Sequence, residues 1–182
     1  LLEEYVKWSN IPVVSMAHDK YHPCQGLADV LGYRKHFKTD DLKGKKIVHV
    51  WGQGALARSW SSIQESLLIT SRMGMDVTLA FPPGYDLDPD VIAKTKNNCE
   101  QNGQKFEITH EPVDCYDKAD VVYSRNWMTA DAYGPEGLKK QEEIEKSMKI
   151  EGWTCNKERM ERTNNAAFSH PMPVDRGSEV TD

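Results

Sequence analysis

Two short segments carry the residues of this chain best suited to chemistry, His22-Pro23-Cys24-Gln25 and His170-Pro171-Met172-Pro173. An imidazole can donate a hydrogen bond to charge growing on an oxygen, and a glutamine amide holds a donor and an acceptor side by side. Metal chemistry is a second candidate. His18 and His22 stand four apart in His18-Asp19-Lys20-Tyr21-His22, the spacing that puts two zinc ligands on one helix face. Asp19 occupies the place of the glutamate base of such sites, and Pro23 disfavours helical backbone at His22. The pattern fits better a turn whose histidines cap the following helix, and no metal is expected.

Gly52-Gln53-Gly54-Ala55-Leu56-Ala57 fits GxGxxA between a predicted strand and a predicted helix, the setting in which such glycines bind a dinucleotide. The second strand should then end in an acid that holds the ribose. It ends Leu79-Ala80-Phe81-Pro82, without a carboxylate. The glycines therefore read as a tight strand-to-helix turn and no cofactor is expected, with a Rossmann-type nucleotide-binding module kept as an alternative.

The elements that position these residues alternate. Pro23 suits the first turn of a helix running through 25–31, and 33–41 reads as a charged connector ending in Leu42-Lys43-Gly44-Lys45-Lys46. Strands are predicted over 47–51, 76–80, 106–109 and 120–123, with helices over 57–73 and 89–102 between the first three. This rhythm predicts an α/β fold with a doubly wound, Rossmann-like parallel sheet, whose ligands sit at the carboxyl ends of strands. The region 127–160 breaks the rhythm with a charged helix over 137–146, read as a solvated face. A short strand over 166–169 then leads into the His170 loop.

With 23 basic and 28 acidic residues among 182 and a net charge of -5, no basic stripe is available for nucleic acid. No apolar run approaches the length of a membrane span. Cys24, Cys99, Cys115 and Cys155 are widely spaced, which favours reduced thiols and a cytoplasmic protein. The chain lacks an initiating Met and ends in the polar run Asp175 to Asp182, and is expected to be an internal fragment.

His22-Pro23-Cys24-Gln25-Gly26-Leu27-Ala28-Asp29 resembles the HPxQxLAD pattern of the aspartate and ornithine transcarbamylases. Ile11-Pro12-Val13-Val14 before it, Leu42-Lys43-Gly44-Lys45-Lys46-Ile47 after it, and His170-Pro171-Met172-Pro173 at the place of the family's HCLP loop follow in the family's order. The resemblance implies transfer of the carbamoyl group of carbamoyl phosphate to the amine of an amino-acid-like substrate. His22 would donate to the carbamoyl oxygen, and Gln25 would fix the carbamoyl amine. Met172 would offer its main-chain carbonyl to that amine, its backbone restricted in advance by Pro173. Arg176 would meet phosphate or a substrate carboxylate.

Departures from the pattern bear on the second substrate. Pro171 replaces the HCLP cysteine. Ser124-Arg125-Asn126-Trp127 puts a cation two residues before the loop tryptophan, where ornithine enzymes have an aspartate. Like charges disfavour free ornithine. The amino-substrate residues implied are Arg125, Trp127, His170, Pro171, Met172 and Pro173. Arg125 resembles the acetylornithine-type and the purine-cluster bacterial transcarbamylases, and Met73 to Ala80 with Pro83 to Leu87, together with the 127–160 insert, looks closest to the second group; this implies a deep trefoil knot, a homotrimer and an amine other than free ornithine. Residues 1–40 would be the helical tail of the carbamoyl-phosphate domain and 41–182 most of the amino-substrate domain. The chain by itself is expected to be inactive, since half the phosphate site would lie upstream and relatives build the site between subunits. A relative that has lost catalysis and serves as a binding or assembly subunit is the remaining alternative.

Overall fold

The computed structural model describes residues 2–54, 56, 58–133 and 140–182. A short helix, α1 (Leu2–Trp8), buries none of its residues. Helix α2 (Pro23–Phe37) opens on Pro23, whose missing N–H is no loss in a first turn. Its cap is His22, whose side chain accepts the N–H of Gln25. The helix outruns the predicted 25–31 and absorbs most of the expected connector. Tyr33 explains why: it is 4% exposed, and its hydroxyl donates to Ser169 Oγ at 3.1 Å. Arg34, Lys35 and His36 complement the helix C-terminus, and Lys38 ends it in the left-handed region at φ 54°.

Five strands, β1 (Lys46–Trp51), β2 (Asp76–Ala80), β3 (Phe106–Thr109), β4 (Val121–Arg125) and β5 (Ala167–Ser169), form one sheet in the order β3-β2-β1-β4-β5. Every pairing is parallel. Helices α3 (Ser61–Arg72) and α4 (Pro89–Asn102) carry the chain outward from β1 to β3, and the chain then returns to the other side of β1. The order thus reverses between β1 and β4, the place where open parallel sheets hold ligands. Buried on both faces, β1, β2 and β4 read as near-continuous apolar runs, whereas β3 and β5 at the sheet edges stay partly exposed. In register, His49 lies beside Leu79 and Tyr123.

Helix α4 shows how local sequence sets element ends. Asp88 Oδ1 accepts the N–H groups of Asp90 at 2.9 Å and Val91 at 3.4 Å, Pro89 begins the first turn, and Gly103 stops the helix at φ 70°. Helix α3 starts at Ser61, four residues later than predicted. The glycine turn is consumed in close packing instead. A Cβ on Gly52 would come within 3.0 Å of Glu179 Cγ, and one on Gly54 within 2.8 Å of Asn126 Cγ. Ala55 and Ala57, the rest of the GxGxxA string, lie outside the described residues.

The core centres on Trp51, Trp127, Tyr116 and Tyr123, all fully buried. Burying such rings stabilises by about 1.5–3 kcal/mol each. The indoles need partners: Trp51 Nε1 donates to Trp127 O at 2.7 Å, and Trp127 Nε1 donates to Tyr85 O at 2.8 Å. At the opposite edge, Asp120 accepts from Lys46 N at 2.9 Å and from Asn164 Nδ2 at 2.8 Å, tying the starts of β1 and β5 together.

The charged insert contains α5 (Lys140–Ser147) and α6 (Lys157–Met160). The first residues of the predicted 137–146 helix lie outside the described ones. Its reading as a solvated face is corrected at Glu143, which is 5% exposed. Thr129 Oγ1 and Lys146 Nζ both donate to its carboxylate at 2.7 Å, which makes the burial tolerable.

Candidate active site

The site lies at the ends of β1, β4 and β5, where the chain leaves β1 for α3 and leaves β5 for the His170 loop. A pocket of about 330 Å³ opens there, lined by His22, Ser61, Ser62, Arg125, Pro171 and Met172, with His18 and Asp19 beside them. Residues from four separate parts of the sequence converge on it.

His22 reaches the pocket from the start of α2. Its Nδ1 accepts the Gln25 N–H at 3.3 Å, so in the neutral ring the proton sits on Nε2, which becomes the available donor. The histidine is a cap and a pocket wall at once. Gln25, one turn on, does not line the pocket. Its Nε2 donates to Asp29 Oδ1 at 2.8 Å. Burial pushes the Asp29 carboxyl up to about 7, against the Gln25 bond, which lowers it.

Arg125 ends β4 and is 8% exposed. Burial pulls its pKa down while the nearby Glu179 carboxylate holds it up, and a guanidinium stays charged in either case. Its Nε and Nη1 find no hydrogen-bond partner among the described residues. Buried donors on a cation are costly to leave unmade, so this face is chemically prepared for an anion or a carbonyl oxygen. The Ser62 hydroxyl beside it lies against the Tyr123 hydroxyl without a well-formed hydrogen bond among the described residues, and the N-terminal dipole of α3 favours negative charge in the same place.

The loop carrying Pro171 and Met172 is held from below by Glu179, fully buried and unmarked in the sequence reading. Its Oε1 accepts from Asn126 N at 2.6 Å, and its Oε2 accepts from Asp175 N at 2.9 Å and meets His170 Nε2 at 3.0 Å. Burial opposes ionisation of Glu179, but the bonds from His170, Asp175 and Asn126 hold its pKa below the usual glutamate range. Arg58 adds an ion pair with Asp175 at 2.8 Å. Residues 175–182, expected to be an open polar run, are thereby fastened: the backbone of Cys155 also bridges Val180.

Of the residues singled out from the sequence, His22, Arg125, Pro171 and Met172 meet around one pocket. Gln25 stands behind His22. Trp127 lies off the pocket wall, because its ring fills the core and its N–H is spent on Tyr85. His170 also lies off it, drawn to Glu179 and stacked on Phe168. Pro173 is exposed after a cis Met172–Pro173 peptide. Arg176 is largely exposed, 3.4 Å from Asp182. Ser59, Ser61 and Ser62 were missed, although their position just past the β1 turn satisfies the strand-end rule for ligands. His18 and His22 do not form part of any cluster of three metal-ligating groups among the described residues.

An all-parallel α/β domain with a histidine, a buried arginine and a proline-flanked loop gathered at its switch point has the geometry of domains whose ligands sit at strand ends. Comparison with known proteins makes the class specific. Residues 43–182 match the family profile "Aspartate/ornithine carbamoyltransferase, Asp/Orn binding domain", and the chain belongs to that family. It is 33% identical over 183 residues to the N-acetylornithine carbamoyltransferase of Xylella fastidiosa, covering all of this chain and 53% of the relative. It is 34% identical over 179 residues to the putative carbamoyltransferase YgeW of Escherichia coli K12, covering 90% of this chain and 45% of that one. Acetylornithine transcarbamylase in complex with acetylcitrulline superimposes on the whole chain, and on 53% of its own, with a TM-score of 0.87 at 34% identity. A mutant of N-acetyl-L-ornithine transcarbamylase, complexed with carbamyl phosphate and N-succinyl-L-norvaline, gives a TM-score of 0.89 at 34% identity with the same coverage. The chain thus spans about half the length of the relatives it matches. No helix among the described residues is long and apolar enough to cross a membrane.

Proposed function

We propose that the protein to which this chain belongs is a carbamoyltransferase that moves the carbamoyl group of carbamoyl phosphate onto the amine of an amino-acid-like substrate, its far end carrying a carboxylate or acyl group rather than the free amine of ornithine. The observation that carries this reading is Arg125, buried at the end of β4 with Nε and Nη1 unpartnered among the described residues and on the same pocket as His22 and Met172. An ammonium group placed there would meet a cation at close range; a carboxylate or amide oxygen would satisfy it.

In the reaction the uncharged amine attacks the carbamoyl carbon, a C–N bond forms, and the carbonyl electrons move onto oxygen. The electrons return as the C–O bond to phosphate breaks, and the amine proton leaves to phosphate or water. His22 Nε2–H is the donor suited to the transient oxyanion, and Gln25 is suited to hold the carbamoyl NH2. Pro171 and Met172 close the pocket over both substrates, with Met172 O as a further acceptor for that NH2. Arg176, exposed on the same loop and held only by a surface contact with Asp182, is suited to turn toward phosphate.

The family assignment supports the rest of the reading. Residues 1–40 belong to the tail of the carbamoyl-phosphate domain and 41–182 to the amino-substrate domain, in keeping with a family profile that begins at residue 43. The exposed Leu27 and Leu31 of α2 suit a helix that packs on a further domain. The deep trefoil knot, a homotrimer and a cytoplasmic location complete the proposal, the last supported by four unpaired cysteines. The test is ureido-product formation by the full-length protein with carbamoyl phosphate and a panel of amines including ornithine, N-acetylornithine and N-succinylornithine. Product from an acylated amine and none from ornithine is the expected result. No product from any amine, by protein that binds carbamoyl phosphate, overturns it.

A further inference from the structure

The amide of Gln25 presents opposite chemistries from its two ends, and the end that faces a carbamoyl group decides what it can hold. Its oxygen would accept from the carbamoyl NH2; its own NH2 would instead compete for the carbamoyl oxygen that His22 is placed to serve. Nothing in an amide's shape makes the choice, which is left to its other hydrogen bond. That bond is made to Asp29, one helical turn further along α2, with Gln25 Nε2 donating to Asp29 Oδ1 at 2.8 Å.

Asp29 is poorly explained as a stabilising residue. It is 6% exposed, its Oδ2 has no partner among the described residues, and no basic side chain contributes to holding its charge. Its charge is felt by Tyr33 on α2 and Tyr123 on β4, beside which lie Ser66 and Ser62 of α3, while Glu65 of α3 lies against Gly26. The one basic group in this set, Arg125 at the end of β4, acts on Tyr123 and does not contribute to holding the Asp29 charge. Burying a carboxylate among them with a single bond is unfavourable, and an apolar side chain would serve the α2–α3 contact better.

We propose that Asp29 is a positioning residue for the transfer reaction: by accepting the Gln25 NH2 it turns the amide oxygen outward, as an acceptor for the carbamoyl N–H. A carboxylate imposes this orientation because it has no hydrogen to give. Once protonated, Asp29 can donate to Gln25 Oε1, and the amide is free to invert. Burial brings that change close to neutrality, so the amide of Gln25 and the acidic side of the turnover profile share one ionisation. The inference rests on the carbamoyl-transfer reading of the pocket.

The experiment compares the full-length protein with Asp29→Leu and Asp29→Asn, by kinetics and by following the Gln25 side-chain NH2 in 15N-labelled protein from pH 5 to 9. In the unaltered protein the Gln25 NH2 resonances should shift with an ionisation near neutrality, and in both variants that step should vanish. Asp29→Leu should fold normally, lower kcat about tenfold and leave KM for the amine within about twofold. Asp29→Asn, able to accept or donate, should lose less. A Gln25 amide indifferent to pH in the unaltered protein, or Asp29→Leu with unchanged kcat, overturns the positioning role even where transfer is observed. If the amide titrates as expected and no amine is carbamoylated, the carbamoyl-transfer reading fails and the catalytic role falls with it, while the Asp29–Gln25 coupling stands.

Discussion

Glu179 Oε1 accepts the main-chain N–H of Asn126 at 2.6 Å, which fastens the loop after β5 to the end of β4 and sets Met172 and Arg125 on one pocket. Glu179→Ala would leave that N–H, the Asp175 N–H and His170 without their acceptor. Losing such a buried network costs about 3–5 kcal/mol, read by chemical denaturation at neutral pH. Because the bonds hold the Glu179 pKa below its unfolded value, its contribution is fully present above the unfolded pKa, about 4.5, and is lost as pH falls through the folded value. Equal stability of variant and parent at pH 7 would refute the role.

His22 has two tasks that substitution can separate. His22→Ala removes both the cap of α2, about 1 kcal/mol, and the donor at the pocket, with turnover falling about 10²–10³-fold. His22→Asn restores a good cap without a donor at the Nε2 position. Thermal unfolding should recover in His22→Asn while turnover stays low; recovery of both would assign His22 to helix capping alone.

Arg125→Asp reverses the charge at the end of β4. The ratio of kcat/KM for ornithine to that for an N-acylated ornithine should rise at least tenfold, an effect of about 1.4 kcal/mol or more in differential binding. A constant ratio would mean that the guanidinium does not meet the substrate.

Two buried titrating groups should leave opposite marks on stability. His49 is fully buried beside Ser66 Oγ, and burial holds its pKa down to about 3. Its folded pKa lies below the unfolded one, so stability falls as pH drops from about 6.5 toward 3, because the unfolded chain takes up the proton first. For Asp29 the folded pKa is raised, so stability is lost as pH rises from about 4 through about 7. Each contribution is on the order of 5 kcal/mol at most. Asp29→Asn should therefore gain stability at pH 8 and none below pH 4, while His49→Leu should lose the acid limb between pH 6.5 and 4.5. Melting profiles of the two variants that parallel the parent's would contradict both windows.

The centre of the sheet was legible because β1 and β4 are buried on both faces: Lys46-Ile47-Val48-His49-Val50-Trp51 and Val121-Val122-Tyr123 are short runs of strand formers at regular spacing. Part of the pocket was legible too, through His22, Arg125, Pro171 and Met172. What escaped is what depends on distant partners. Glu179 lies in a polar stretch without periodicity, and its burial follows from contact with Gly52 and Asn126 in remote segments. Gly52 and Gly54 signalled a turn, but not that Glu179 and Asn126 would fill the space a side chain would need. The start of α3 was misplaced by the same ignorance. Tyr33 extended α2 through a bond to Ser169, a residue 136 positions away.

The edge of Arg125 that stays unpaired among the described residues makes the folded protein its own detector. A molecule that supplies the missing acceptor binds only the folded form, and at a hundredfold excess over its Kd adds about 2.7 kcal/mol to stability. A library of amino acids, acylated amino acids and dicarboxylates can therefore be ranked by melting temperature alone, without any assay of chemistry. The Arg125→Met protein, whose pocket lacks that demand, serves as the counter-screen, so that a substrate is recognised by the rise it causes in one protein and not in the other.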